Sequence, residues 1–374
     1  MVKNKKAFTL VELLAVIVIL AVILVIAVPQ IMNVITESRK GALASSAKLI
    51  ASSAESMKLS NQALGIEKDI ECSDVSNYKE EDYTCSLKFV DGKAKVTLVG
   101  QGKFEGMAVC GGTKEEAEVV EECPVPVSFS ADSWATIKAA VTAGDTDNYN
   151  VGDTKTVDLG DLGTHIVRIA NKTACDGTLE SETACGFVIE FEDIITRHNM
   201  NPSGTYNGTS YSYGWNKDGW PGSQMYDYIN VTEKENSGTV YNALVSAIGN
   251  IIEDTKVVSS HGMEDASNFT TENVKLYLLS PEEVYGTSFT DSHDTSRGTS
   301  RQLDWYSDKG VTISTSRFDV IKKNAGSNDA WWLRSADSIT PDYFYYVGSD
   351  GYYSIYGDYM AYNAIGVSPA FRLG

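Results

Sequence analysis

The sequence predicts an α+β protein in which one long N-terminal helix carries a small antiparallel sheet and then a larger α+β domain. Three observations lead there. An apolar run from Phe8 to Val28 is followed, without a break, by apolar residues at three- and four-residue spacing. Two alternating runs flank Asp91-Gly92, a hairpin signal. After Phe129 the composition shifts to Gly, Asp, Ser, Thr, Tyr and Trp, with short strand-like and helix-like stretches intermixed.

With 374 residues, 43% hydrophobic and 22% charged, the chain can fill one long helix and two globular units and is not of disordered composition. Fifty acidic residues against 31 basic ones give a net charge of −19, a field that repels nucleic acid, so no direct nucleic-acid partner is expected. Six cysteines, at 72, 85, 110, 123, 175 and 185, form an even set without a CxxC pair, which favours disulfides in an oxidising compartment over zinc or redox chemistry. Pairing of neighbours, Cys72 with Cys85, Cys110 with Cys123 and Cys175 with Cys185, is the simplest of about fifteen connectivities, and the sequence does not choose among them.

Lys3, Lys5 and Lys6 precede the apolar run and are expected to stay on the cytoplasmic side, which places everything after Pro29 outside. Residues 8–28, at helical rise, span about 30 Å, the thickness of a bilayer core. A cleaved secretory signal would have a shorter apolar core followed by a small-x-small site, and this run continues into more helix instead. A plain anchor leaves Glu12 without a role, since an acid inside an apolar helix costs about 2.5–3.5 kcal/mol at the bilayer centre. Past Pro29, Ile31, Val34, Ile35, Leu43, Ala47, Ile50, Ala54 and Met57 continue the helical pattern to about residue 60.

The stretch Ala7-Phe8-Thr9-Leu10-Val11-Glu12-Leu13-Leu14 resembles the class III signal of type IV prepilins, over about 30 residues. The resemblance implies cleavage between Ala7 and Phe8 by a prepilin peptidase and methylation of the new Phe8 amine. It also implies that Glu12 pairs with the N-terminal amine of a neighbouring subunit, and that Pro29 is the helix-loosening proline of such pilins. Ala7 departs from the usual glycine. The partners implied are other pilin subunits, the prepilin peptidase, the pilus assembly platform and, before assembly, the membrane. The location implied is the cytoplasmic membrane, crossed once with the C-terminus outside, and then a cell-surface filament. Loss of the three leader lysines takes the net charge from −19 to −22.

The expected organisation is a leader at 1–7, a helix at 8–60, a small pilin-type sheet domain at 61–110, a linker at 111–127 rich in Glu and Pro, and a head at 128–374. In the head, residues 164–169 and 187–191 read as strands, and 133–141 and 240–252 have helical spacing. Ser133-Trp134-Ala135-Thr136-Ile137, Val151-Gly152-Asp153, Lys275 to Glu283, Trp331-Trp332-Leu333-Arg334-Ser335 and Gly366 to Leu373 resemble the landmarks of a domain family of unknown function in bacterial surface proteins. The last two are also similar to the C-type-lectin-like fold of formylglycine-generating-enzyme relatives, which implies that fold for the head. The cysteine chemistry of those enzymes is not available to a chain without cysteine after Cys185.

His165, His198, His261 and His293 show no nucleophile–base or HExxH spacing, and no enzyme, cofactor or metal site is expected. His293-Asp294 near Asp291 and Asp304 has ligand types for a metal, but in so acidic a chain a solvated loop is the favoured reading. Residues 342–362 hold eight of the chain's 20 tyrosines among Asp, Ser and Gly, a composition suited to contact surfaces. The expected ligand-binding residues are Ser338, Asp342, Tyr343, Tyr345, Tyr352, Tyr353, Tyr356, Asp358, Tyr359 and Tyr362. The stretch between Arg334 and Gly366 resembles the variable region of proteins displayed by diversity-generating retroelements. The leading expectation is a filament subunit displaying a head for an extracellular protein or glycan. The alternatives are a pseudopilin or minor pilin of a secretion or DNA-uptake system and a membrane-tethered surface enzyme.

Overall fold

The computed structural model describes residues 10–373 apart from 77, 91, 176, 207–208, 212–213, 236, 264, 316 and 355–358. The chain divides into two compact units, residues 1–88 with 94–123, and residues 89–93 with 124–374.

The first unit is built on a helix from Leu10 to Ala63 that runs through Pro29. Proline removes only one backbone donor, and the flanking Leu, Ile, Val and Ala keep the segment helical. The helix stops where Gly65 adopts a left-handed conformation, φ 67°. There the Gly65 amide donates to the Gln62 carbonyl and the Ile66 amide to the Asn61 carbonyl, the paired bonds that satisfy a helix C-terminus.

Leu43, Ala47, Ile50, Ala51 and Ala54 form a fully buried stripe along the second half of this helix. It packs on a four-stranded sheet of Tyr83–Val90, Lys93–Gly100, Ala108–Gly112 and Val119–Val120, in that order. Small residues set the distance between the two layers. A Cβ on Gly112 would come within 2.8 Å of Val109 and 3.4 Å of Ala47. Glu55 pins the layers by accepting from the Ala94 amide at 3.1 Å and pairing with Lys114 at 2.8 Å.

Two of the three disulfides belong to this unit, Cys72–Cys85 and Cys110–Cys123, and the third, Cys175–Cys185, to the second. All are neighbour pairs. The linker expected at 111–127 is therefore corrected. Val119–Val120 pairs antiparallel with Ala108–Val109 and Cys123 is bonded into the sheet, so the connection shortens to the few residues after Cys123. The glutamates between are the solvated side of an edge strand, a composition that also describes a linker. Cys110→Ser with Cys123→Ser is expected to lower the stability of this unit by about 2–3 kcal/mol, read as a lower Tm under oxidising conditions.

The second unit holds two larger sheets. One is antiparallel, ordered Ala370–Leu373, Phe187–Phe191, Thr164–Asn171, Thr154–Asp158. The other is ordered Tyr353–Ser354, Phe344–Val347, Trp331–Ala336, Ile365–Val367, Thr196–His198, antiparallel except for the parallel pair of 331–336 with 365–367. Around them lie helices Trp134–Ala143, Gln224–Ile229, Thr239–Ile248 and Pro281–Tyr285. Ser133 caps the first by accepting from the Thr136 amide, and Gly144 ends it at φ 71°. Ser280 and Glu283 form a reciprocal capping box on the last.

The sequence landmarks meet in the core. Arg334 forks onto both oxygens of Glu283 at 2.6 Å, with both side chains essentially enclosed. Arg334 also donates to the carbonyls of Leu278 and Val258. One ion pair thus ties the Trp-Leu-Arg-Ser strand to the Ser-Pro-Glu-Glu helix. Trp331 and Trp332 flank it, fully buried, with their indole nitrogens on the carbonyls of Val320 and His198.

Candidate functional site

Two regions stand out as candidate sites. In the first unit, the N-terminal part of the helix is exposed from Leu10 to Ile35 through Leu13, Val18, Ile23, Val28 and Ile31, and it is long and apolar enough to cross a membrane. An apolar surface of this extent is stable only against lipid or neighbouring chains. Glu12 lies within it, in the first turn. Ala7 and Phe8, the expected processing residues, lie outside the described residues.

In the second unit, a cleft of about 700 Å³ opens beside the start of the 164–171 strand, the 192–195 segment and the 318–326 segment. Its position follows from the strand pattern: Thr164 and Ile166 face outward before both faces of the strand become buried at Val167. Opposite stands a short 3₁₀ turn, Arg317–Val320, then a hairpin of Lys322–Asn324 with Ser327–Asp329. The hairpin turns through Ala325 at φ 49° and Gly326 at φ 86°, both left-handed, as a two-residue connection between twisted strands requires. Alanine is strained there by about 1–2 kcal/mol. Ala325→Gly is expected to raise Tm slightly without altering the fold.

The walls are held from behind by a buried cluster. Glu190 accepts from Arg168 at 2.9 Å, from Lys322 at 2.8 Å and from the Tyr306 hydroxyl at 2.9 Å, joining strand, hairpin and the Trp305 helix. Burial alone would push the Glu190 carboxyl up, but the Arg168 and Lys322 charges overcome it and hold it well below the usual carboxylate range. The Arg168 guanidinium also lies over the Trp305 ring, 4.6 Å from its centre.

His165, at the cleft, faces acceptors on both ring nitrogens: Nδ1 meets Asp193 at 2.9 Å and Nε2 meets the Leu162 carbonyl at 2.8 Å. Only the doubly protonated ring donates to both. The hydrogen bond to Asp193 accordingly raises its pKa above the ordinary 6.5, against the opposing effect of burial. Because the folded value is the higher one, this contribution to stability is fully present below about pH 6.5 and is lost as pH rises through the raised value. NMR titration of the His165 ring should show the raised midpoint, and Asp193→Asn should return it toward 6.5.

The residues expected to bind ligand divide by burial. Tyr345 is corrected: its side chain is 0% exposed, edge-on to Phe289 in the core, so it packs rather than presents a surface. Tyr353 is half-buried against Phe289 and Tyr285, and Tyr359 is half-buried against Tyr346. Ser338, Asp342 and Tyr343 are half-buried in a loop that Asn216 fastens by donating to the Asp337 and Thr340 carbonyls. Burial raises the Asp342 carboxyl. Tyr352 and Tyr362 are exposed, at 43% and 40%. Tyr356 and Asp358 lie outside the described residues.

Among the described tyrosines of this set, only Tyr352 and Tyr362 are thus exposed. Tyr352 joins the cleft region instead: the Arg317 guanidinium stacks 4.2 Å from its ring centre and donates to its hydroxyl, and the next residue, Phe318, lines the cleft at 74% exposure. The acidic loop weighed for metal is also divided. His293 lies 3.9 Å from Asp291 and 3.5 Å from Asp337, whereas Asp304 accepts from Thr173 and Arg301. Asn216, Phe318 and Trp305 carried no sequence signal beyond their residue types.

Residues 2–28 match the prokaryotic N-terminal methylation motif, and residues 192–374 match a domain of unknown function (DUF6273). No curated protein and no solved structure matches the chain. The methylation motif and the apolar helix support a type IV pilin-like protein, one that associates in general with other pilin subunits and a prepilin peptidase.

Proposed function

We propose that this chain is a subunit of a type IV pilus or related filament whose second unit is a head that binds a partner outside the cell. The observation that carries the reading is the exposed apolar half-helix that itself carries the methylation motif and leads into a disulfide-stapled domain. Such a helix needs lipid before assembly and other subunits after it. Ala7 and Phe8 are then the cleavage and methylation positions, and Glu12 and Pro29 the assembly residues. The head's role as an adhesin is supported by its cleft and by the aromatic pair Phe318 and Tyr352 bracketing Arg317, residue types that dominate binding surfaces. Its landmarks support a C-type-lectin-like arrangement within the same reading. His165 has its ring nitrogens engaged by Asp193 and the Leu162 carbonyl, and in this reading the head acts by binding. Immunogold labelling of sheared fibres with an antibody to the head tests the proposal. Gold on the fibres is the expected result, and gold confined to the cell membrane would reject it.

A further inference from the structure

One border of the cleft is a short turn, the 3₁₀ segment Gly160–Leu162 with Gly163 after it. Its backbone bonds are local. The Leu162 amide donates to the Leu159 carbonyl at 3.3 Å, the Gly163 amide to the Gly160 carbonyl at 2.9 Å, and the Leu159 amide to the Gly163 carbonyl at 2.8 Å. Gly160 and Asp161 are exposed, and beyond the half-buried Leu162 side chain the turn has little packed against the core. A segment of this kind opens readily unless a contact from outside fastens it. That contact is the His165 ring. Nε2 meets the Leu162 carbonyl at 2.8 Å, and the backbone runs so close that a Cβ on Gly163 would stand 3.5 Å from the same nitrogen. Nδ1 meets Asp193 at 2.9 Å, so the ring ties the turn to the 192–195 segment, which also lines the cleft.

The tie is complete in one protonation state. An imidazolium donates from both nitrogens, whereas a neutral ring has a single proton to give. The charged acceptor Asp193 keeps that proton on Nδ1, because a charge-assisted hydrogen bond is the stronger of the two. The Nε2 lone pair then faces the Leu162 carbonyl oxygen at hydrogen-bond distance with no proton between them. The other tautomer is worse, since it sets a lone pair against a carboxylate. The turn, with local bonds alone to lose, is the part that gives way. The charged groups around the ring are Arg168 on its own strand, Lys155 and Asp158 on the paired strand, Asp161 in the turn, Glu192 and Asp193 on the facing segment, and Asp319 and Lys323 on the far wall. Arg168 is committed to Glu190. Of all these side-chain types, imidazole is the one that ordinarily titrates between about pH 5 and pH 8.

We propose that His165 is a pH-operated latch at the border of the cleft, fixing the 160–163 turn while the ring is doubly protonated and releasing it when the ring becomes neutral. The inference rests on the geometry of the cleft and is independent of the filament reading. Hydrogen exchange of the full chain in detergent tests it, read by mass spectrometry on peptides covering residues 158–164. The comparison is between about pH 5.5 and about pH 8.5, after correction for the intrinsic pH dependence of amide exchange. Protection of the turn is expected to fall by about fivefold or more at the higher pH. His165→Gln, which has no titrating ring, should abolish the response, and Asp193→Asn should move its midpoint downward. In the unaltered protein the midpoint should coincide with the NMR titration of the His165 ring, a readout that does not depend on any variant folding. Equal protection at the two pH values, a response that persists in His165→Gln, a midpoint unrelated to the ring titration, or equal loosening of the core strand Phe187–Phe191 would overturn the proposal.

Discussion

Glu12→Ala will leave the protein in the membrane and out of fibres. The carboxylate sits in the first turn of an apolar helix, where an unpaired acid costs up to about 2.5–3.5 kcal/mol at mid-bilayer depth and less toward the edge, a cost that a cationic partner offsets. In the proposed filament the new amine of a cleaved neighbour would be such a partner, and alanine would remove the attraction while making the helix more comfortable in lipid. The expected phenotype is therefore a normal or raised amount of membrane-bound protein with sheared-fibre yield at or near zero. Glu12→Asp should recover part of the yield, since it keeps the charge and shortens the reach. Neither change touches the buried contacts of the helix at Leu43 to Ala54, so the disulfide-bonded unit should remain folded and protease-resistant. Wild-type fibre yield from Glu12→Ala would refute the assembly role.

The second large effect is on stability. Arg334→Met should cost about 3–5 kcal/mol, because Glu283 is left as a buried carboxylate without its counter-ion. That is a large part of the 5–15 kcal/mol that ordinarily holds a domain together. The double change Arg334→Met with Glu283→Gln should recover part of the loss, because no charge is then left buried and the amide oxygen can still accept from the Ser280 amide. Losses within about 1 kcal/mol for the single variant, measured by thermal unfolding of the full chain, would show that the pair does not hold the core.

Periodicity made the helix legible because its two halves answer to different solvents, lipid and protein, yet both need apolar residues every third or fourth position. The hairpin at 83–100 was equally readable from Asp91-Gly92, and Gly92 takes the left-handed turn conformation at φ 77°. The cleft was not readable. Phe318 stands in Arg-Phe-Asp-Val-Ile, where an aromatic between polar residues and an aliphatic pair looks like a core residue; only its position on a 3₁₀ turn exposes it. Tyr345 misled for the opposite reason. Alternation along Phe344–Val347 places strand residues on two faces, and here both are covered, so Tyr345 and Tyr346 share the composition of a contact surface without being one. The buried pairs escaped as well, since Arg334 and Glu283 lie 51 positions apart and nothing local links them.

The Cys110–Cys123 bond acquires a mechanical meaning if the head is pulled. Tension arriving from residue 124 reaches a covalent anchor at Cys123 at once and passes into the strand Ala108–Gly112, which lies against the helix. Residues 111–122, with the weak two-residue strand Val119–Val120, are left out of the loaded path. In single-molecule stretching the oxidised protein should therefore yield without releasing that segment, and reduction should add its length to the extension. In the proposed filament the bond would act as a tether that shortens the route between head and fibre.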